Sequence, residues 1–432
     1  MKIKVIDEIM SSGKSHWILN KISEWDKEDK YDQFFYISPL LSEVGGELLK
    51  DNKGREVSPR QYLKGRVQQS LPHMNFTFPR PIKGSKAYHV SQLIHQCKNV
   101  SATHKLFLSL DKGDVDILKQ NRNILVIDEA IDAYEVYKGI TKQALDNHIK
   151  SGILLVDEDT RKLSYNHEQY PIKKETTQWE LSELVKYCDN NCVYYIEGNV
   201  VLWEFPTDLL EAFDDVYVLT YIFEGSFMYY WCKINNIDIE YVKPKLYRST
   251  SEVKNYIKEL INVVETPSLR KIEDYSYSQS WWEHEAVKDC IEDIKKALSS
   301  CVTKVVKCKT EDILITCPKL SWEHDKENKR RKKRLLVKGK GYSRATWLSS
   351  ETKATNEFKD KTVLIYLLGK FPNPMISNFC SQKGYPIDEE TFALASFLQW
   401  IFRGSIRKGE PMYVIMTSGA MRKLLKEWLE KE

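Results

Sequence analysis

The chain has 432 residues, enough for two or three domains with proper cores, and its 42% hydrophobic and 12% aromatic content excludes low-complexity disorder. Basic and acidic residues nearly cancel, 65 against 61, so net charge alone selects no partner. No apolar run reaches the ~18–20 residues of a membrane-spanning helix, MKIKVIDEIMSSGKS does not read as a signal peptide, and nine cysteines without CxxC spacing suit reduced thiols. These features lead to the expectation of a soluble cytoplasmic protein with no membrane partner.

Strand-like and helix-like runs alternate along the chain, which predicts an α/β fold with parallel sheets. Residues 2–7 read as a first strand, followed by a short loop and a helix through Ile18 and Ile22. Residues 33–38 form a second strand, closed by Pro39, which cannot continue a central ladder. Residues 123–127 are continuously apolar at their centre, as buried parallel strands are. The stretch from about 141 to 191 is polar and irregular and reads as an insertion or a small subdomain. Strands return at 193–196 and 216–220. Polarity rises between Lys243 and Tyr277, and the boundary is set there, giving a first domain of 1–264 and a second of 265–432. The second holds a helix over 283–298, strands at 312–316 and 362–367, a helix over 389–402, a strand at 412–416 and a closing helix over 421–430.

Charge is uneven along the chain. Residues 326–344 carry ten Lys or Arg and one acid, Glu327, a local +9. Such a block is either a solvated loop or a contact for a polyanion, which it attracts over about a Debye length. Tyr342 and Trp347 beside it are either half-buried packing or platforms on which bases stack.

Three motifs carry chemistry. Ser11-Ser12-Gly13-Lys14-Ser15 follows the first strand and opens a helix, the context a phosphate-binding loop requires. Small residues there let backbone N–H groups approach phosphate oxygens at a helix N-terminus. Lys14 would reach the β- and γ-phosphates of ATP, and the Ser15 hydroxyl would hold Mg²⁺. The full pattern asks for glycine five residues before Gly13, where this chain has Glu8. Ile124-Leu-Val-Ile-Asp128-Glu129-Ala130 is an apolar strand ending in adjacent carboxylates. Asp128 would hold the Mg²⁺ hydration shell and Glu129 would orient and deprotonate water; the plain alternative is an acidic helix start, which the helix dipole also favours. Gln399-Trp-Ile-Phe-Arg403-Gly-Ser-Ile-Arg407 sets two arginines four apart, so a continued helix would give them one face. They read as stabilisers of charge on a transferring phosphoryl group, or as ordinary surface residues with Gly404 ending the helix between them. Trp281 and Trp282 read as a packing corner, and neither zinc spacing nor a GxSxG elbow appears.

The order GKS, DEA, QxxxRxxxR resembles the superfamily 2 helicases and translocases, and more closely the small ATP-dependent helicases encoded by bacteriophages. The runs Asp7 to Ser15, Tyr36 to Val44, Ser101 to Phe107, Val218 to Ser226, Lys353 to Phe358 and Gln399 to Arg407 carry the likeness across almost the whole chain. The resemblance implies two tandem RecA-like domains that clamp ATP, with an insertion in the first. Ser12, Gly13, Lys14, Ser15, Asp128 and Glu129 keep the roles given above, Gln399 joins the nucleotide face, and Arg403 and Arg407 become arginine fingers. Pro39, Thr103 and His104 would meet the nucleic-acid backbone, though a buried structural histidine serves equally well at 104. Thr220 would couple hydrolysis to movement, and Thr355 and Asn356 would meet both DNA and nucleotide. Arg330, Arg331, Lys338 and Lys340 would border the groove for a single strand. The implied function is an ATP-dependent DNA helicase, an ATPase stimulated by single-stranded nucleic acid, acting in phage replication or recombination. Its partners would be single-stranded or forked DNA, with RNA left open, and replication or recombination proteins. The alternatives are a translocase that remodels without separating strands, an ATP-gated nucleic-acid-binding module, and a P-loop kinase.

Overall fold

The computed structural model describes all residues except 50–55, 58–60, 172–180, 197, 199, 285–286, 323–343, 353–356 and 432. The chain divides into two compact units. Residues 1–7, 15–244 and 373–387 make the first, and residues 8–14, 245–372 and 388–432 make the second. The boundary expected at 264/265 thus lies within the second unit. Part of the polar stretch that suggested the boundary is the solvent face of an amphipathic helix, Thr250–Leu260, which buries Val253 and Ile257. The following strand, Ile261–Val263, pairs with Met412–Met416 and so belongs to the second sheet.

The first unit is built on six parallel strands, β1 (Lys2–Asp7), β2 (Gln33–Ile37), β3 (Val100–Ala102), β4 (Asn123–Asp128), β5 (Asp215–Thr220) and β6 (Asp238–Tyr241), in the order β6-β1-β5-β4-β2-β3. Ile124 to Ile127 of β4 are fully buried, which is why that strand reads as an unbroken apolar run. The helix Lys14–Lys27 repeats its apolar residues at helical spacing and sets Ile18, Leu19, Ile22 and Trp25 into the core, in one cluster with Ile6, Tyr36 and Val126.

The expected insertion has its own structure: a helix Lys142–Lys150, a hairpin of Leu154–Val156 with Leu163–Tyr165, and a helix Ser182–Asp189. The strand expected at 193–196 is present but runs antiparallel, in a small sheet with Val200–Glu204 and Tyr134–Tyr137. At the end of its middle strand the buried Glu204 carboxylate accepts hydrogen bonds from Tyr134 (3.1 Å), Tyr194 (2.8 Å) and Asn235 (2.8 Å). The helix Pro374–Gln382 joins this unit through Phe379, whose ring lies 5.5 Å from that of Tyr134 and 5.0 Å from that of Tyr194.

The second unit is also built on a parallel sheet, of β7 (Ile261–Val263), β8 (Ile313–Thr316), β9 (Thr346–Trp347), β10 (Val363–Tyr366) and β11 (Met412–Met416), in the order β7-β11-β10-β8-β9. The helices Val287–Ser300, Glu389–Ile401 and Gly419–Glu430 complete it. Trp281 and Trp282 pack edge to face at 5.1 Å, and the Trp282 indole donates to the Leu367 carbonyl at 3.1 Å, so the pair is a packing corner. Each unit is thus an α/β fold built on a parallel sheet, the fold class that the alternating strands and helices predicted. Among the described residues no helix is long and apolar enough to cross a membrane.

Candidate nucleotide site

The carboxyl ends of three neighbouring strands bring together residues that lie far apart in sequence. In the parallel register Asp7 of β1 is opposite Thr220 of β5, and Leu219 is opposite Asp128 of β4. Asp7, Thr220 and Asp128 therefore stand along one edge of the sheet, and the strand with the carboxylate pair is one removed from the strand that leads into Gly13-Lys14-Ser15. The carboxyl edge of an open parallel sheet is where ligands bind in such folds.

Each of these three strands exits through strained backbone. Ser11 (φ 66°), Glu129 (φ 66°) and Ile222 (φ 56°) all adopt the left-handed conformation within four residues of a strand end. For residues other than glycine this costs about 1–3 kcal/mol each, and such residues gather at functional sites. The Glu129 turn is anchored by its own N–H, which donates to Leu219 at 2.9 Å. The turn after Thr220 is anchored by the Asp7 carboxylate, which accepts from the Phe223 N–H at 2.9 Å.

Asp128 and Glu129 are both half-buried. One Asp128 oxygen accepts from the Ser38 hydroxyl at 3.1 Å, which fixes the carboxylate's orientation. The Tyr36 hydroxyl is pushed well above its ordinary value, first by burial and then by the negative charges of Asp128 and Glu43. A proton thus stays on that phenol at neutral pH. His104 is buried, 8% exposed, with its Nε2 3.0 Å from the Asp128 backbone carbonyl; the ring braces the end of β4 from inside. Thr103, half-buried, caps the short helix His104–Phe107 by accepting from Leu106 N at 3.3 Å. Pro39 is half-buried just beyond β2, and Thr220 is buried at the end of β5.

The phosphate-type loop joins β1 to its helix. Gly13 has φ +104°, and a Cβ there would lie 3.3 Å from that of Tyr247, so conformation and space both call for glycine. Glu8, where the full motif has glycine, is not among the residues with positive φ; the left-handed steps fall at Ser11 and Gly13 instead. The Glu8 carboxylate accepts from the Thr250 hydroxyl, which itself accepts from the Ile9 N–H at 3.3 Å. The Arg248 N–H donates to the Ser12 carbonyl at 3.3 Å. The Lys14 ammonium donates to the Glu8 carbonyl and, at 3.0 Å, to that of Ile9. The Ser12 hydroxyl is fully buried and has no hydrogen-bond partner among the described residues. Ser15 begins the first turn of the helix, half-buried.

The arginine pair corrects one expectation. The helix ends at Ile401 and Gly404 is extended, so Arg403 and Arg407 do not share a helix face. A Cβ on Gly404 would lie 2.4 Å from Met412 Sδ and 2.7 Å from Leu364 Cδ1, and this close approach to the sheet breaks the helix. Arg403 is 2% exposed with Nη1 3.5 Å from the Ser349 carbonyl; Arg407 is half-buried in the 3₁₀ turn Ser405–Lys408; Gln399 is half-buried on the helix. Arg330, Arg331, Lys338, Lys340, Thr355 and Asn356 lie outside the described residues, as does Tyr342. Arg344, the last residue of the basic block, is exposed and sits 3.4 Å from Glu311. Trp347 donates to the Cys317 carbonyl at 2.9 Å, which favours packing over base stacking.

Sequence reasoning missed Asp7, Ser38 and Thr250. Asp7 and Ser38 carry a legible signal, since each is a polar residue closing an apolar strand. Thr250 carries none, lying 242 positions from the Glu8 it binds.

Two α/β units, each built on a parallel sheet, define the class. Within it, residues 255–429 match the YonV C-terminal Rossmann-like domain family. The chain is 27% identical over 449 residues to the SPbeta prophage-derived uncharacterized protein YonV of Bacillus subtilis (strain 168), with 100% of this chain and 99% of that protein covered. Among solved structures, the DUF1998 helicase MrfA bound to DNA and AMPPNP aligns over 100% of this chain with a TM-score of 0.32 and 11% identity; the chain spans 48% of that protein's length.

Proposed function

We propose that this chain is an ATP-driven motor on nucleic acid, a DNA helicase of the phage superfamily 2 type acting in replication or recombination. The observation that carries the reading is the Asp128–Glu129 pair at the carboxyl edge of the sheet. It leaves a strand one removed from the phosphate-loop strand, with left-handed backbone at all three neighbouring strand exits. The prophage origin of YonV agrees with a phage setting.

The residues present suit ATP and Mg²⁺. A fully buried Ser12 hydroxyl without a hydrogen-bond partner among the described residues is a group that a phosphate would engage, and the Lys14 ammonium, which donates to the Glu8 and Ile9 carbonyls, is a cation that a phosphate would pair with. Ser15 and Asp128 are the residues that would hold Mg²⁺, which when bound neutralises charge on the phosphates. Glu129 accepts a proton from water as its oxygen bonds to the γ-phosphorus, and the bond to the β-phosphate oxygen breaks to release ADP. Thr220, between the two site strands, transmits the change at the γ-phosphate, while Arg403 and Arg407 act as fingers on the developing charge. Pro39 and Thr103, beyond β2 and β3, meet the nucleic-acid backbone.

The test is steady-state ATP hydrolysis with and without single-stranded DNA. Stimulation by DNA is expected for the wild type, no turnover for Lys14→Ala, and for Glu129→Gln loss of turnover by 100-fold or more (about 10²–10⁴ for a general base) with ATP still bound. Equal turnover in wild type and Lys14→Ala refutes the assignment.

A further inference from the structure

We propose that Arg80, Lys83 and Lys86, with the rings of Tyr62 and Tyr88, form a binding surface for single-stranded nucleic acid on the first unit; this extends the motor reading and rests on it. The starting point is an absence of acid. From Val57 to Leu110 there are eight Lys or Arg and not one Asp or Glu, where the chain's average would supply about eight acids.

The fold gives this stretch a direction. Thr77 bridges Val100 in parallel, with the Thr77 N–H donating to Asn99 at 2.9 Å and the Ser101 N–H donating to Thr77 at 3.1 Å. The chain therefore runs past β3 in the same sense and leaves at the carboxyl edge. That is the edge at which Pro39, Thr103 and Asp128 leave β2, β3 and β4. Residues 79–85 turn there, and the helix Lys86–His95 carries the chain back.

At that turn the cations stand on rings. The Arg80 guanidinium lies 5.3 Å from the Tyr62 centroid, the Lys83 ammonium 4.9 Å from that of Tyr88, and the Lys86 ammonium 4.9 Å from that of Phe78. Arg80 and Lys83 are exposed, and Tyr88 is 39% exposed. None of the three cations forms an ion pair with a described carboxylate, whereas Arg66 of the same stretch sits 2.9 Å from Glu43 and is excluded from the surface. His89 accepts at Nδ1 from the Arg80 N–H at 2.8 Å; burial, and then the Arg80 charge, hold its pKa below the usual histidine value, so it adds no charge near pH 7. Unneutralised cations beside the exposed Tyr88 ring and the half-buried Tyr62 ring match a chain that offers both phosphates and flat bases. An acidic peptide would meet the charges and leave the rings unused.

The experiment uses the full chain and labelled oligo(dT) and oligo(rU), with anisotropy titrations across a salt series. Each phosphate contact contributes about −0.7 to the slope of log K against log salt for single strands, so the triple variant Arg80→Gln, Lys83→Gln, Lys86→Gln flattens the slope by about 2 and weakens binding about 100-fold at about 0.1 M salt. The charge-keeping triple Arg80→Lys, Lys83→Arg, Lys86→Arg retains the wild-type slope. Should the glutamine triple fail to fold, the exposed Lys83→Gln alone still flattens the slope by about 0.7. A folded glutamine triple with the wild-type slope on both oligomers overturns the surface, and so does a wild type that binds neither. A wild type that binds single strands without hydrolysing ATP overturns the motor reading and leaves the slopes to decide the surface.

Discussion

Thr250→Val removes one hydroxyl from the phosphate-type loop while keeping the side chain's shape. That hydroxyl donates to the Glu8 carboxylate and accepts from the Ile9 N–H at 3.3 Å, tying the first two loop residues to the start of the helix Thr250–Leu260. A hydrogen bond to a charged group contributes about 1.5–3 kcal/mol and one between neutral groups about 0.5–1.5. Both bonds here are only partly buried, so the low end applies, about 2 kcal/mol together. The loss falls on residues 8–13 and not on either sheet. It is therefore expected as a looser loop, with ATP affinity reduced by up to about 30-fold at 1.4 kcal/mol per decade, and with the thermal midpoint lowered by only a few degrees. The assay is titration with a fluorescent ATP analogue and Mg²⁺, with Thr250→Ser as the control that keeps both bonds. A Kd for the valine variant equal to wild type, or tighter, would refute the claim that Thr250 organises this loop in place of the missing glycine.

Two further outcomes test the packing and electrostatics around the site. Gly404→Ala forces a methyl group against Met412 and Leu364, with contacts of 2.4 and 2.7 Å before relaxation. It should destabilise the second unit by about 1–3 kcal/mol, read as a lower denaturant midpoint; an unshifted midpoint would mean that the turn accommodates a side chain. Asp215 tests acid sensitivity. Burial pushes its carboxyl up, but hydrogen bonds from Lys4 and Tyr31 and the charges of Lys4 and Lys30 outweigh this and hold it below the usual carboxylate range. Because the folded value is depressed, the stabilisation is present above the unfolded value near 3.9 and is lost as pH falls through the folded value. Wild type should therefore lose more stability than Asp215→Asn between about pH 5 and the acid limit, with the two curves converging there. Chemical denaturation across that range checks it, and parallel curves would show that Asp215 gains nothing from its partners.

The sequence by itself determined the central strands and the motifs that sit on them. Ile124 to Ile127 and Val363 to Ile365 are buried on both faces, so they must be apolar without a break, and such runs are visible without a structure. Gly13-Lys14-Ser15 was legible for a similar local reason, since strand, glycine turn and helix start follow one another within a few residues. The edge strands β3 and β6 were not legible, because β3 is buried but only three residues long and β6 is four largely solvated residues, and neither is long enough to carry a periodicity. The tertiary structure alone decided the rest. Asp7, Thr220 and Asp128 share one edge only through the parallel register of β1, β5 and β4, which is set by contacts between residues up to about two hundred positions apart. Arg403 and Arg407 have helical spacing, yet the approach of Gly404 to the sheet separates them. Glu8 stands where the motif has glycine, and its partner Thr250 comes from a distant part of the chain. Local sequence fixes what a short segment prefers, whereas which segments meet depends on pairing and packing between distant parts of the chain, and those contacts leave no trace at either end alone.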